Sequence, residues 1–320
     1  MNEVEPITER IIPFALVGAG GVPKPIMAEF SKLLEAKPSF PGFRGGLVFD
    51  FDPASVSNGN GKGASIARYL RVLPKKELKQ IAAQLRRGGN SRADFQRVFG
   101  DYVDLGRIRV MEAPGLNLEM QSASLGWRLV WEQHVRPELR ALMDRLHPSP
   151  RERDSIETTQ YRFSNRSMVW VIAGGASTTG PSGFIPLMAE LRQLLPPETT
   201  LNGILLTPGA YRDKAHQHRT KGQAIFRATV ETLFQIYDDK FFDEPYGRSG
   251  YRISMDQEIF DHLFLIDGTF GGGRFTLSMQ ETARMVALFL YRTMTTHLAE
   301  TLLARLGDLH DGGQHGATVA

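Results

Sequence analysis

Residues 168–183, MVWVIAGGASTTGPSG, decide the fold class of this chain. The apolar run from Met168 to Ile172 has the length of a strand, and the segment after it is rich in glycine, serine and threonine. A helical pattern follows from Phe184 to Leu195. Because the apolar run is not interrupted by polar residues, we expect a strand that is buried on both faces. The stretch predicts a central strand, a glycine-rich turn and a helix.

The beginning of the chain has the same order of elements. Ile11 to Val17 (IIPFALV) is an apolar run of strand length that ends in Gly18-Ala19-Gly20-Gly21. A helical pattern then continues through Leu34, and Gly45 to Asp52 (GGLVFDFD) predicts a second strand. The chain therefore predicts two strand, glycine turn and helix units.

The rest of the chain alternates in the same way. Predicted helices cover Lys75 to Arg87, Ser91 to Phe99, Ser124 to Leu146 with a break at Pro137, Ala224 to Tyr237 and a long stretch within Leu277 to Leu306. Predicted strands cover Arg107 to Met111, Leu201 to Thr207 and Phe260 to Ile266. This alternation predicts an α/β fold, with a mostly parallel sheet, helices on both faces and a long helix near the C-terminus.

The same patterns suggest how the chain is organised. We expect one domain over residues 1–270 with a helical elaboration at about 54–106, then the long helix within 271–306. Residues 307–320 contain few apolar side chains, so we expect them to form a flexible tail.

Composition narrows the classes of function. The chain of 320 residues has 38 Lys and Arg against 35 Asp and Glu, so its net charge is only +3, and its mixed charges give no clear nucleic-acid site. It has no cysteine, which excludes disulfides and thiolate chemistry, and its eight histidines form no recognisable metal-ligand spacing. No apolar run approaches membrane-spanning length, and the N-terminus carries acids where a signal peptide would be basic. We therefore expect a cytoplasmic protein without a membrane span.

The two glycine-rich segments are the strongest functional signal. Each follows a buried strand and precedes a helix, where free backbone N–H groups bind phosphate. In a parallel sheet both would open at the carboxyl edge, which is where ligands bind. Neither segment continues into a Walker-A lysine motif, and no GxSxG motif is present. We expect backbone and hydroxyl groups to bind the phosphates, with any Mg²⁺ held through phosphate and water.

These motifs, in this order, resemble the tubulin/FtsZ superfamily, and more closely its divergent bacterial tubulin-like branch. The resemblance rests on GAGG after the first strand, the acidic DFD at the end of the second, a loop at Ala113 to Gly115 before the long helix, and the Gly/Ser/Thr segment. That segment is similar to the family pattern GGGTGSG, with Pro181 inserted. The correspondence covers most of residues 11–306.

The resemblance implies a site for GTP or GDP. Its phosphate-binding and ribose-binding residues would be Gly18, Ala19, Gly20, Gly21, Asp52, Gly115, Asn117, Thr178, Thr179, Gly180, Ser182, Gly183 and Asp213. In the family an Asn reads the guanine edge, whereas this chain has Asp267, whose carboxylate can accept two guanine N–H groups. Phe289 is the candidate for stacking on the base.

The resemblance also bears on hydrolysis. Family members hydrolyse GTP when a neighbour in the filament inserts an acidic loop from a second domain, whereas this chain ends soon after Leu306. Either the chain is a piece of a longer protein or it is a nucleotide-binding module. Both alternatives predict a switch or assembly subunit whose GTP hydrolysis is weak or depends on a partner, with self-assembly or a protein partner.

Three other interpretations stay open. An ATP-dependent adenylyltransferase that resembles ubiquitin-activating enzymes would use the GAGG turn with Asp50, Asp52, Val56, Ser57 and Asn58. A nicotinamide-dependent oxidoreductase would use the glycine turn and Asp50. An interaction protein would keep the fold without a nucleotide. The tubulin-like interpretation alone gives the segment GGASTTGPSG a role.

Overall fold

The computed structural model describes residues 9–36, 41–51, 66–72, 75–87, 90–108, 120–157, 161–211, 219–247, 249–270 and 275–295. Its α-helices are α1 Pro23–Glu35, α2 Lys75–Arg87, α3 Asn90–Phe99, α4 Met120–Val130, α5 Arg136–Met143, α6 Pro150–Ile156, α7 Thr179–Leu194, α8 Arg219–Asp239 and α9 Met279–Thr295. Its strands are β1 Glu9–Ile11, β2 Phe14–Ala19, β3 Phe43–Asp50, β4 Ala67–Arg71, β5 Tyr161–Phe163, β6 Ser167–Gly174, β7 Thr199–Leu206, β8 Phe242–Pro245, β9 Arg252–Met255, β10 His262–Ile266, β11 Thr269–Phe270 and β12 Phe275–Thr276.

Six of these strands form one parallel sheet in the order β10-β7-β6-β2-β3-β4. The two strands predicted from the glycine-rich segments, β2 and β6, are neighbours at its centre, with Val17 opposite Val171 and Ala19 opposite Ala173. Every residue of both strands is buried. The predicted α/β class with a mostly parallel sheet is confirmed.

Side chains of the central strands alternate between two hydrophobic clusters, because successive residues of a strand point to opposite faces. In β6, Val169 and Val171 belong to one cluster, whereas Trp170 and Ile172 belong to the other. Helices α4, α5 and α7 cover the first face, and α1 and α9 pack together on the second. The sheet is therefore covered on both sides, as the continuous apolar strands predict.

Several elements differ from the prediction. Helix α7 begins at Thr179 rather than after Gly183, and the strand predicted at Arg107 to Met111 is replaced at its start by a 3₁₀ turn. The long helix predicted from Ser124 to Leu146 consists of α4, a π-helical segment at Trp131–Val135 and α5, and Pro137 lies in the first turn of α5.

The elaboration predicted at 54–106 contains a strand as well as helices. Strand β4 extends the main sheet beside β3, and α2 begins and ends where the sequence pattern predicts. Three two-stranded sheets among the described residues, formed by β1 with β5, by β8 with β9 and by β11 with β12, were also missed. Residues 307–320, predicted as a tail, lie outside the described residues.

A buried carboxylate fixes α7 against the π-helical segment and the β8–β9 hairpin. Glu190 is fully buried, and its side chain accepts hydrogen bonds from Trp131 Nε1 at 3.1 Å, Arg136 Nε at 2.9 Å and the Tyr251 hydroxyl at 2.7 Å. The Arg136 guanidinium also lies 4.1 Å from the centre of the Tyr251 ring. Burial, followed by the hydrogen bond to Glu190, raises the pKa of Tyr251, so its hydroxyl remains a donor. The three donors balance the buried charge.

We expect Glu190→Ala to lower the free energy of unfolding by about 3 kcal/mol, because it leaves a partly buried cation and two donors without their acceptor. Urea unfolding followed by tryptophan fluorescence measures the loss. The control is Glu231→Ala, which removes the partner of Arg227 in an exposed pair on α8 and should leave the midpoint unchanged. A Glu190→Ala protein as stable as the control would contradict this account.

Candidate functional site

The candidate site lies where the connections of the sheet change direction. From β2 the chain passes through α1 to β3 on one side, and from β6 it passes through α7 to β7 on the other. Helices that leave neighbouring strands in opposite directions open a crevice between them at the carboxyl edge, and ligands of α/β proteins bind in such crevices. Both glycine-rich segments end their strands at this switch point.

The two segments touch each other at Gly20. This residue has a φ of +83°, which favours glycine, and a Cβ placed on it would lie 3.2 Å from the Gly180 nitrogen and 3.5 Å from Thr179 Cβ. The Gly20 N–H donates to the carbonyl of Phe49 on β3 at 2.8 Å. The turn after β2 is therefore bonded to β3 and lies close to the first turn of α7.

Part of the predicted phosphate loop is helical in the structure. Because α7 begins at Thr179, the backbone of Gly180 to Gly183 belongs to its first turns. The Ser177 hydroxyl accepts a hydrogen bond from the Gly180 N–H at 3.3 Å, and the Ser182 hydroxyl donates to the carbonyl of Thr178 at 2.6 Å. These two hydroxyls stabilise the start of the helix. Thr178 and Thr179 are buried at that start.

Other predicted glycines have a packing role. Gly18 and Ala19 belong to β2 rather than to the turn, and a Cβ on Gly18 would clash with Pro23. A Cβ on Gly183 would clash with the Trp127 ring of α4. Gly21 differs, since it is exposed and a Cβ there would meet only Asp50 Oδ2, at 3.7 Å.

A lysine beside the first turn was missed by the sequence analysis, which used its partner Asp50 as a site residue only in the adenylyltransferase and oxidoreductase interpretations. Lys24 is the second residue of α1, and its Nζ lies 3.0 Å from Oδ2 of Asp50, the last residue of β3. Asp50 Oδ1 accepts a hydrogen bond from the Phe51 N–H at 2.8 Å. The sequence signal was a lysine three residues after GAGG, but it lies outside the Walker-A spacing and its acid lies on another strand.

Asp267 lies at the same edge, directly after β10. It is exposed, and its carboxyl group packs closely against Gly209 in the turn after β7. Three strand spacings separate β10 from β2, which amounts to about 14 Å. Asp267 is therefore at the same edge as the glycine segments but is not in contact with them.

Phe289 is not at this edge. It lies on α9, about 15 Å along the helix axis from the first residue of the helix. Its ring packs edge-on against Trp170 at 5.7 Å and against Phe264 at 5.5 Å, both on the face of the sheet. Phe289 therefore packs in the core with aromatic side chains of β6 and β10, and it is not part of the proposed site.

Four predicted site residues lie outside the described residues: Asp52, Gly115, Asn117 and Asp213. The same is true of Val56, Ser57 and Asn58, which the adenylyltransferase interpretation uses. These predictions stay predictions.

A cavity of about 480 Å³ lies between α4, α7, α8 and the β8–β9 hairpin. Arg128 lies in its wall, buried between the Tyr246 and Tyr102 rings, and it donates hydrogen bonds to Glu244 and to the carbonyl of Pro245. Of the predicted site residues within the described part of the chain, Ser182 alone lines this cavity. The cavity is thus distinct from the contact between Gly20 and Gly180.

The described residues contain no group of three or more His, Cys, Asp or Glu side chains arranged to hold a metal ion. No helix among them combines the length and the apolar character needed to cross a bilayer.

Comparison with known proteins identifies the fold. No protein-family model and no curated protein sequence matches the chain. Among solved structures, CetZ from Methanosaeta thermophila matches with a TM-score of 0.50 at 13% identity, over 96% of this chain and 61% of that chain. CetZ2 from Haloferax volcanii, in a GTPγS-bound protofilament, gives 0.46 at 12% identity, over 91% and 62%. TubZ of Clostridium botulinum phage c-st gives 0.41 at 9% identity, over 89% and 59%.

The match to CetZ from Methanosaeta thermophila shows that this chain has a tubulin-like fold. At 13% identity the match speaks for the fold alone. The chain spans about three fifths of the length of these structures.

We expect alanine substitutions to separate the packing glycine Gly183 from Gly21. Gly183→Ala should destabilise the fold by about 2 kcal/mol, because the new methyl group overlaps the Trp127 ring. Gly21→Ala should change stability by less than about 0.5 kcal/mol, because the position is exposed and open. Thermal unfolding of both variants measures the difference, and equal stabilities would show that the packing assignment of Gly183 is wrong.

Proposed function

We propose that this chain is a tubulin-like guanine-nucleotide-binding module that binds GTP or GDP at the switch point between β2 and β6. The observation that carries the proposal is the contact of the two glycine segments, in which Gly20 approaches the backbone of Gly180. One anion placed there would meet both segments at once. The sequence resemblance to the tubulin/FtsZ superfamily and the tubulin-like fold support the same assignment.

In this proposal the phosphates lie over the turn at Gly20 and Gly21 and against the start of α7. The absence of a side chain at Gly20 permits the close approach of backbone to phosphate. The N-terminus of α7 adds the positive end of its dipole, and Thr178 and Thr179 add hydroxyl groups. These groups bind charge without any catalytic side chain.

Asp267 is the proposed reader of the base. A carboxylate accepts hydrogen bonds from the guanine N1 and N2 positions, whereas adenine presents an acceptor at N1 and repels it. The distance of about 14 Å between the ends of β2 and β10 is compatible with a nucleotide that lies along the edge of the sheet. Asp213 would then contact the ribose, and Gly115 and Asn117 would approach the terminal phosphate.

GTP hydrolysis is weak or depends on a partner in this proposal. The groups at the switch point bind charge, but a fast reaction also needs a residue that orients the attacking water. A second subunit or a protein partner would supply it, so the module works in the cytoplasm as a switch or an assembly subunit. Fast phosphate release by the isolated chain at low protein concentration would contradict this part of the proposal.

The adenylyltransferase interpretation receives less support. It gives no role to the segment at the start of α7, although that segment contacts Gly20. If the chain binds ATP more tightly than GTP, the adenylyltransferase interpretation is favoured instead.

We expect Thr179→Ala to weaken GDP binding by about 1 kcal/mol, roughly fivefold in Kd, because one hydroxyl next to Gly20 is lost. Isothermal titration calorimetry measures the change. Thr232→Ala is the matched control, since that hydroxyl bonds to its own helix on the exposed face of α8. If Thr179→Ala binds GDP as tightly as the control, the phosphate does not lie at the start of α7.

We expect the wild-type chain to bind GTP more tightly than ATP, and Asp267→Ala to lose most of that preference. The physical reason is that the carboxylate attracts the guanine donors and repels the adenine N1 acceptor. Competition of both nucleotides against a fluorescent GDP measures the ratio. Asp256→Ala, which changes an exposed acid in the turn after β9, is the control. If the wild-type chain binds GTP and ATP with equal affinity, the proposed preference for guanine is wrong.

A further inference from the structure

An ammonium group lies beside the turn that follows β2. The Lys24 side chain is 18% exposed, and its Nζ is fixed by Asp50, whose side chain is 8% exposed. The oxygen that contacts Nζ, Asp50 Oδ2, is also the atom nearest to the Cβ position of Gly21. The ammonium is therefore held at the glycine turn rather than directed into bulk solvent.

We propose that Lys24 is the cation that binds the nucleotide phosphates, with Asp50 as the residue that positions it, so that diphosphate binding does not require a divalent metal held by the protein. The inference rests on the proposed function and names the group that neutralises the phosphate charge.

The start of α1 shows why a side-chain donor is needed there. Two of its first three residues, Pro23 and Pro25, have no backbone N–H. The N-terminus of a helix normally offers free backbone N–H groups to an anion. The N-terminus of α1 therefore has few such groups. Lys24 lies between the two prolines and carries a charged group with three N–H donors. The first turn of α7 contains Pro181, which removes a further donor at the same crevice.

The hydrogen bonds that Asp50 accepts fit an ammonium partner rather than Mg²⁺. A protein-held Mg²⁺ needs carboxylate oxygens that point at the ion. The two oxygens of Asp50 accept hydrogen bonds from Lys24 Nζ and from the Phe51 N–H. The described residues also contain no cluster of three acids or histidines. A metal placed at Asp50 would have to displace the lysine first.

Lys24 and Asp50 also join α1 to β3 across the turn. The pair spans 26 positions of the sequence, so it fixes the turn at Gly20 and Gly21 from both sides. A phosphate oxygen that reaches Lys24 finds the ammonium already oriented. Little side-chain entropy is then lost on binding.

The experiment measures GDP binding by calorimetry in EDTA and in excess Mg²⁺. We expect wild-type affinity to be nearly the same in both buffers. Lys24→Met should weaken binding by about 10- to 100-fold in both, because a charge-assisted hydrogen bond is lost. Lys24→Arg should restore part of the affinity. The control is Lys32→Met, on the same helix and largely exposed, which should bind as the wild type does.

A second variant distinguishes a positioning residue from a metal ligand. Asp50→Asn keeps an acceptor for the Phe51 N–H, removes a negative charge near the phosphates and removes the acceptor that orients Lys24. The last two effects oppose each other, so binding should change little and to the same extent in both buffers. The double variant Lys24→Met/Asp50→Asn leaves no unpaired buried charge. It should still bind about tenfold more weakly than Asp50→Asn alone, even if Lys24→Met alone is too unstable to measure.

Two outcomes would overturn the inference. One is a double variant that binds GDP as tightly as Asp50→Asn. The other is a loss of affinity in Asp50→Asn that appears only with Mg²⁺, which would make Asp50 a metal ligand. A wild-type chain that binds neither GDP nor GTP in either buffer would refute the proposed function itself, and the inference with it.

Discussion

The pairing of β2 with β6 is the contact on which the rest of the structure depends. Their hydrogen-bonded register runs from Phe14 opposite Met168 to Ala19 opposite Ala173, so both strands end at the same level. Because one connection leaves toward β3 and the other toward β7, the helices that follow lie on opposite faces of the sheet, and the turn before α1 meets the first turn of α7. The sequence of either glycine segment alone does not bring the two segments together. They meet because β2 and β6 are adjacent parallel strands at the centre of the sheet.

This geometry explains why so many glycines are concentrated in two short segments. Among the glycines that the structure describes, only Gly20 combines a left-handed backbone with a close neighbour across the switch point. Gly18 and Gly183 lack side chains for a different reason, since Pro23 and the Trp127 ring occupy the space. The packing glycines allow Pro23 of α1 to approach β2 and Trp127 of α4 to approach α7. Stability and ligand approach therefore depend on different glycines within the same two segments.

The sequence predicts the elements that are buried on both faces and misses those that depend on tertiary contacts. Strands β2 and β6 have continuous apolar sequences, so their existence and type were predicted correctly, although β2 begins at Phe14 rather than at Ile11. Strand β4, with the sequence ARYLR, lies at the edge of the sheet and carries charged side chains, so its pattern has no strand signal. The start of α7 was placed too late because Gly180 and Pro181 resemble helix breakers. In the structure Gly180 is required by the nearby carbonyl of Gly174, and a proline is tolerated in a first turn.

Lys24 and Asp50 could not be paired from the sequence for a related reason. They are 26 residues apart, and only the side-by-side pairing of β2 with β3 brings them together. The two prolines that flank Lys24 give the helix a rigid start but remove backbone donors from the place where an anion would lie. A lysine at that position compensates with a full charge, and Asp50 keeps it oriented in the absence of an anion. The N-terminus of a helix otherwise provides the positive charge and the N–H groups that bind an anion. At the start of α1 the prolines remove two of these N–H groups, and the positioned ammonium of Lys24 replaces them.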